Sequence, residues 1–146
     1  MTVFRVNFKM AEGCADLRPH KQHLGDSGFD LKSRVNLVLK PGKFMPVPSG
    51  LFLEMPEYVE AQVRPRSGLA AKLGITVLNT PGTIDASYRG EVQVILINHG
   101  TADFKITRGD RIAQLVFQTL PVIDLVEETK LSATERGAGG LGSTGV

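Results

Sequence analysis

Cysteine occurs once in the 146 residues, at Cys14. No intrachain disulfide can form, and a cysteine-built metal site is not expected. A reducing compartment fits. No apolar run is long enough to span a bilayer, and the opening residues lack the long apolar core of a secretory signal. A cytoplasmic protein with no membrane partner is expected. The net charge is only +2, too small to mark a nucleic-acid binder. There is no Gly-Lys-Ser/Thr of a P-loop, and no strand, Gly-rich turn and helix of a dinucleotide fold. The three histidines are scattered, His20 and His23 in an aperiodic stretch and His99 at a turn; they make a poor metal set and read as solvated surface.

What is present favours strands. Gly 16 and Pro 8 imply many turns, and 42% hydrophobic residues are enough for one domain with a core. Phe4, Val6, Phe8 and Met10 alternate with polar residues, which predicts a half-buried strand. Residues 12–26 have no period and read as a loop. Val35, Leu37 and Leu39 alternate, and Pro41-Gly42 closes that strand. Residues 47–54 predict a strand interrupted by Pro48-Ser49-Gly50. Val59, Ala61 and Val63 alternate, with Pro65 as the stop.

Residues 67–74 form the single convincing helix, with Ser67 as its cap and Gly74 as its end. Strand returns at 75–78. Residues 79–91, with Pro81-Gly82 at one end and Gly90 at the other, predict a β-hairpin leading into the apolar strand 92–97. Phe104 and Ile106 precede a tight turn at Arg108-Gly109-Asp110. Residues 112–120 form a long strand, and 122–127 a candidate last one. From 132 the composition turns to Ser, Thr, Gly and Ala, which predicts a mobile tail. The expected architecture is all-β, a sandwich or jelly-roll-like barrel in residues 1–131, followed by a flexible segment 132–146.

Several groups could carry chemistry. Asp85 and Tyr88 at the hairpin tip are either turn residues or a carboxylate and ring held in defined positions. Arg66, Ser67 and Gly68 open the helix, and are either a simple cap or an anion site. Arg111 and Gln114 fall on opposite strand faces if the pleat is regular. Asp30 could accept a salt bridge from a distant arginine. In the tail, glycines with Arg136, Ser143 and Thr144 either hang free or turn N–H groups and hydroxyls on a phosphate.

Taken in order, these segments resemble the homotrimeric deoxyuridine triphosphatases. The five motifs of that family have counterparts in Asp26-Ser27-Gly28-Phe29-Asp30-Leu31, in Pro65-Arg66-Ser67-Gly68-Leu69-Ala70, in Gly82-Thr83-Ile84-Asp85-Ala86-Ser87-Tyr88-Arg89-Gly90, in Gly109-Asp110-Arg111-Ile112-Ala113-Gln114-Leu115, and in the tail from Arg136 to Gly145. The resemblance implies a jelly-roll-like barrel with one short helix and a C-terminal lid. It implies a homotrimer with active sites between chains, and Mg2+-assisted hydrolysis of dUTP to dUMP and pyrophosphate. The metal would be held by substrate phosphates, with no protein ligand set.

Carried residue by residue, Asp85 would orient the attacking water and Tyr88 would lie under the deoxyribose. Asn79, Thr83, Ile84 and Gln93 would lie along the uracil. Arg66, Ser67 and Gly68 of a neighbouring chain would hold the β- and γ-phosphates, and Gln114 the α-phosphate. Arg136, Leu141, Gly142, Ser143 and Thr144 would close over the nucleotide. Asp30 and Arg111 would pair as a structural bridge, with an outer-sphere metal role open to Asp30. Leu141 stands where the family usually has an aromatic ring, which implies a looser lid.

Two other readings share this scaffold. A dCTP deaminase needs a glutamate on the strand after the hairpin; counted from Asp85, its place holds Ile95, which cannot shuttle a proton. A non-catalytic nucleotide-binding regulator would lack the base and lid residues, whereas Asp85, Tyr88 and Arg136 are all present.

Overall fold

The computed structural model describes residues 3–141. Its strands are β1 (Asn7–Met10), β2 (Phe29–Lys32), β3 (Leu37–Leu39), β4 (Phe44–Glu54), β5 (Val59–Arg64), β6 (Ile75–Val77), β7 (Gly82–Ile84), β8 (Glu91–Asn98), β9 (Phe104–Ile106) and β10 (Arg111–Thr119). One α-helix, α1 (Ser67–Leu73), lies between β5 and β6. Two four-stranded antiparallel sheets, β1-β4-β8-β6 and β2-β10-β5-β7, enclose the core, and β3-β9 forms a short ribbon. The fold is all-β and jelly-roll-like, as expected.

The inward side chains are mostly aliphatic. Val47, Leu51, Val92, Val94 and Leu96 from one sheet meet Leu31, Ala61, Val63 and Leu115 from the other. Alternation places them there, because successive strand residues point to opposite faces. In β5, Val59, Ala61 and Val63 are buried while Glu60, Gln62 and Arg64 are half-buried.

The hairpin expectation is corrected. β7 pairs with β5, and β8 pairs with β4 and β6, so the two strands belong to different sheets. Residues 79–91 are a crossover between sheets. The turn chemistry was legible, but partner choice is set by burial: Gly82 and Ile84 are buried against the second sheet.

Other local expectations also shift. β4 does not break at Pro48-Ser49-Gly50; it runs through as a bulge, with Gly50 at φ +76°. Ser67 is not the cap of α1. Arg66 has the extended conformation of that position and its carbonyl accepts the first helical bond, from Ala70 N–H at 3.1 Å. Ser67 is therefore already helical, one residue too late to cap. Gly74 does end the helix, at φ +66°.

Residues 12–26 are mainly irregular but include a 3-10 turn, Ala15–Leu17, whose Leu17 is buried. Regular pairing of the first strand begins only at Asn7, and Phe4 and Phe8 stay half exposed. Residues 122–127 are not a strand. Val122, Ile123, Leu125 and Val126 are exposed and carry no ladder bonds. An apolar stretch without an edge to pair against does not make a strand. Residues 120–141 form no strand or helix.

Candidate active site

The crossover between β7 and β8 shapes a cleft of about 250 Å3, lined by Pro46, Thr83, Ile84, Asp85, Tyr88, Glu91, Val92, Gln93 and Ile95. Asp85 follows the last residue of β7 and is solvent-exposed. Its carbonyl accepts the Tyr88 N–H at 3.0 Å, closing a turn that puts carboxylate and ring on one rim. The Tyr88 hydroxyl donates to the Glu91 carbonyl at 3.0 Å. Gly90 leaves the Tyr88 ring its place, because a Cβ there would push the ring and hydroxyl aside. Gln93 and Ile95 come from β8, on the cleft wall opposite β7.

A second constellation gathers where β5 ends. Gln114 Nε2 donates to the Pro65 carbonyl at 2.9 Å. Arg66 Nη1 donates to the Arg111 carbonyl at 2.8 Å, and Arg111 Nη1 meets Asp30 Oδ2 at 3.3 Å. Asp30 Oδ2 also accepts from Gln22 Nε2 at 2.7 Å. The expected Asp30–Arg111 bridge is thus formed. Gly28 packs under the Gln114 side chain, where a Cβ would clash.

The condition placed on Arg111 and Gln114 fails instructively. The pleat is not regular, since β10 shifts register between Arg111 and Ala113. Arg111 then faces Lys32 and Gln114 faces Asp30, which are two apart on β2 and share a side. The bulge turns both residues toward the same cluster.

The two constellations stand apart within one chain. Ala61 pairs with Ile84 beside Asp85, whereas Arg66 lies five residues further along the same extended segment, roughly 17 Å on at about 3.3 Å per residue. Ser67 and Gly68 are exposed at the start of α1. Asn79 sits beside Gly82, at the opposite end of β7 from Asp85, and does not line the cleft. Arg136 is engaged in its own turn, donating from Nε to the Gly139 carbonyl at 2.8 Å. Leu141 is fully exposed at φ +49°. Gly142, Ser143 and Thr144 lie outside the described residues.

Arg108-Gly109-Asp110 is a tight turn, as read from the sequence, with Gly109 at φ +94°. Arg108 forms a bidentate pair with Asp16, at 2.7 and 2.8 Å. The guanidinium holds the Asp16 carboxyl below its ordinary value. Sequence reasoning did not single out Glu91, although it ends the 79–91 stretch. Its signal is a carboxylate at the first position of a strand that is mostly apolar.

The dUTPase family model matches residues 17–145. The chain belongs to the dUTPase family. It is 48% identical over 145 residues to a deoxyuridine 5'-triphosphate nucleotidohydrolase of Clostridium tetani, covering 99% of both chains. It is 54% identical over 146 residues to the enzyme of that name from Caulobacter vibrioides, covering 97% of this chain and 94% of the relative. Among solved structures, the dUTPase of Staphylococcus bacteriophage 80alpha with dUPNHPP superposes at a TM-score of 0.88, with 25% identity over 97% of this chain and 99% of that one. A dUTPase of phage phi11 of S. aureus, described for its coordination of a structural Mg(II) ion, matches at a TM-score of 0.80 with 20% identity, over 86% and 97% of the chains. In this dUTPase-family chain, no three His, Cys, Asp or Glu side chains converge as a metal site among the described residues. Nor is any helix among them long and apolar enough to cross a membrane.

Proposed function

We propose that the chain hydrolyses dUTP to dUMP and pyrophosphate by attack of water on the α-phosphorus. The observation that carries this reading is the crossover cleft, where Asp85, Tyr88 and Gln93 converge in a chain of the dUTPase family. Asp85 accepts a proton from the water and aims it; its exposure at the rim leaves room for a solvent nucleophile. Tyr88 lies under the deoxyribose and leaves no space for a 2′-hydroxyl. Thr83, Ile84 and Gln93 line the base; Asn79, outside the cleft in the single chain, would have to reach the uracil edge from the far end of β7. Uracil offers an imide donor between two carbonyl acceptors, which backbone groups of a strand can match.

Magnesium enters as part of the substrate: on the triphosphate oxygens it neutralises charge and makes the phosphorus easier to attack. Asp30 is available to it only through water, being already paired with Arg111. Arg66, Ser67 and Gly68 hold the β- and γ-phosphates, and Gln114 reaches the α-phosphate. These groups stabilise the departing pyrophosphate electrostatically. The separation of Arg66 from Asp85 along one chain favours a phosphate grip supplied by a neighbouring chain, in keeping with the homotrimer that the family resemblance implies. The segment 132–146 closes as a lid, with Arg136, Ser143 and Thr144 on the γ-phosphate and Leu141 and Gly142 over the base. In a cytoplasmic setting the reaction would limit uracil incorporation into DNA and supply dUMP for dTMP synthesis. Ile95 on the cleft wall argues against a deaminase, because an aliphatic side chain moves no proton.

The test is pyrophosphate release from dUTP, dCTP, dTTP and UTP in parallel. Release from dUTP far above the other three is expected. Equal rates on all four, or ammonia from dCTP, would overturn the reading.

A further inference from the structure

β4 and β8 lose register next to the cleft. Pro48 faces Gln93 and Phe52 faces Glu91, so Ser49, Gly50 and Leu51 stand opposite Val92 alone. A bulge leaves ladder groups without their usual partners, and here side chains replace them. The Ser49 hydroxyl donates to the Val92 carbonyl and accepts the Leu51 N–H. The buried Gly50 N–H donates to Glu91 Oε1 at 2.7 Å. The same oxygen meets Arg34 Nε at 3.2 Å. Glu91 therefore has its carboxylate plugged into the bulge, largely out of solvent. Its carbonyl faces the other way and accepts the Tyr88 hydroxyl at 3.0 Å. The Tyr88 backbone is held by its turn to Asp85 and by Arg89 Nη1, which donates to its carbonyl at 3.1 Å; for the ring, the hydroxyl bond to Glu91 is the one hydrogen bond among the described residues, beside the space over Gly90.

We propose that Glu91, locked by Arg34 and the Gly50 N–H, is a positioning residue that fixes the Tyr88 ring and so sets the discrimination of deoxyribose from ribose. The inference rests on the dUTP reading above. Glu91 acts through Tyr88 and not on the reacting atoms. Removing its carboxylate frees the carbonyl to drift, and the ring with it. Asp85 keeps its own place after β7, so the chemical step is spared.

The test is the ratio of kcat/KM for dUTP to that for UTP. In Glu91→Ala the ratio is expected to fall about tenfold while kcat for dUTP stays within about threefold. Glu91→Gln keeps an oxygen for the Gly50 N–H and should hold the ratio within about twofold of wild type. The Tyr88→Phe, Glu91→Ala double variant should lose no more discrimination than the worse single variant, since both break one link. Should Glu91→Ala fail to fold, Arg34→Met, which removes a half-exposed partner, is expected to lower the ratio about threefold. A ratio unchanged in whichever of these two variants folds, or additive losses in the double variant, would overturn the inference. A wild-type chain that releases no pyrophosphate from dUTP would instead overturn the proposed function, and this inference with it.

Discussion

Two side chains carry most of what can be tested at the scale of single residues. Asp85 is exposed at the cleft rim and its carboxylate has no hydrogen-bond partner among the described residues. Unpaired at the rim, it is free to accept from a water. Asp85→Asn should lower kcat for dUTP by at least about a hundredfold, the usual scale of a lost general base, with dUTP affinity nearly unchanged. Stopped-flow pyrophosphate release with parallel calorimetric binding checks both halves. Retained turnover would remove Asp85 from its role. Leu141 projects fully into solvent. Replacing it by Phe adds a face that can stack on a base, worth about 1 kcal/mol, or roughly a fivefold lower KM for dUTP. An unchanged or higher KM would remove Leu141 from the lid.

At the scale of elements, two bulges and one crossover do the positioning. The β4 bulge depends on Gly50. Its φ of +76° is strained for any side chain, and a Cβ would press on the Cys14 side chain at 3.1 Å. Gly50→Ala should destabilise the fold by about 1–3 kcal/mol, read as a lower urea midpoint with an unchanged slope. The β10 bulge brings Arg111 and Gln114 to one face beside Asp30. The Asp16–Arg108 pair ties residues 13–16 to the β9–β10 turn. With the Asp16 carboxyl held below its ordinary 3.8, the contribution of this pair is complete above that pH and fades as the solution becomes more acidic.

At the scale of the whole molecule, the separation of Arg66 from Asp85 favours a site shared between chains, and the proposed homotrimer sets the expected mass. Light scattering should return about three times the 15.8 kDa chain mass. A monomer with full activity would contradict the shared site. The tail makes a second prediction. Residues 132–141 are exposed but for the half-buried Gly139 and lie outside every strand, so cutting the chain after Leu131 should leave the melting temperature within about 2 °C. The same cut should lower kcat/KM for dUTP by at least about tenfold, because the γ-phosphate contacts go with it. Circular dichroism and steady-state kinetics on one preparation separate the two effects.

How much was legible follows from the range of each interaction. Alternation in Val59, Ala61 and Val63, the stop at Gly74 and the turn at Gly109 are local, written in side-chain period and backbone freedom, and the strands and turns they predict are present. The residue types of the site were legible too, since Asp85, Tyr88 and Arg66 stand in a recognisable order. What the sequence by itself determined is therefore an all-β chain of the dUTPase family and the inventory of its chemistry. Only the tertiary structure decided which strands pair. It sent β7 and β8 to different sheets, because burial against β5 outweighs a nearby hairpin partner. It also decided that Arg111 shares a face with Gln114, and that Glu91 reaches into a bulge of β4. These contacts join residues distant in the chain, and no local period encodes a register shift.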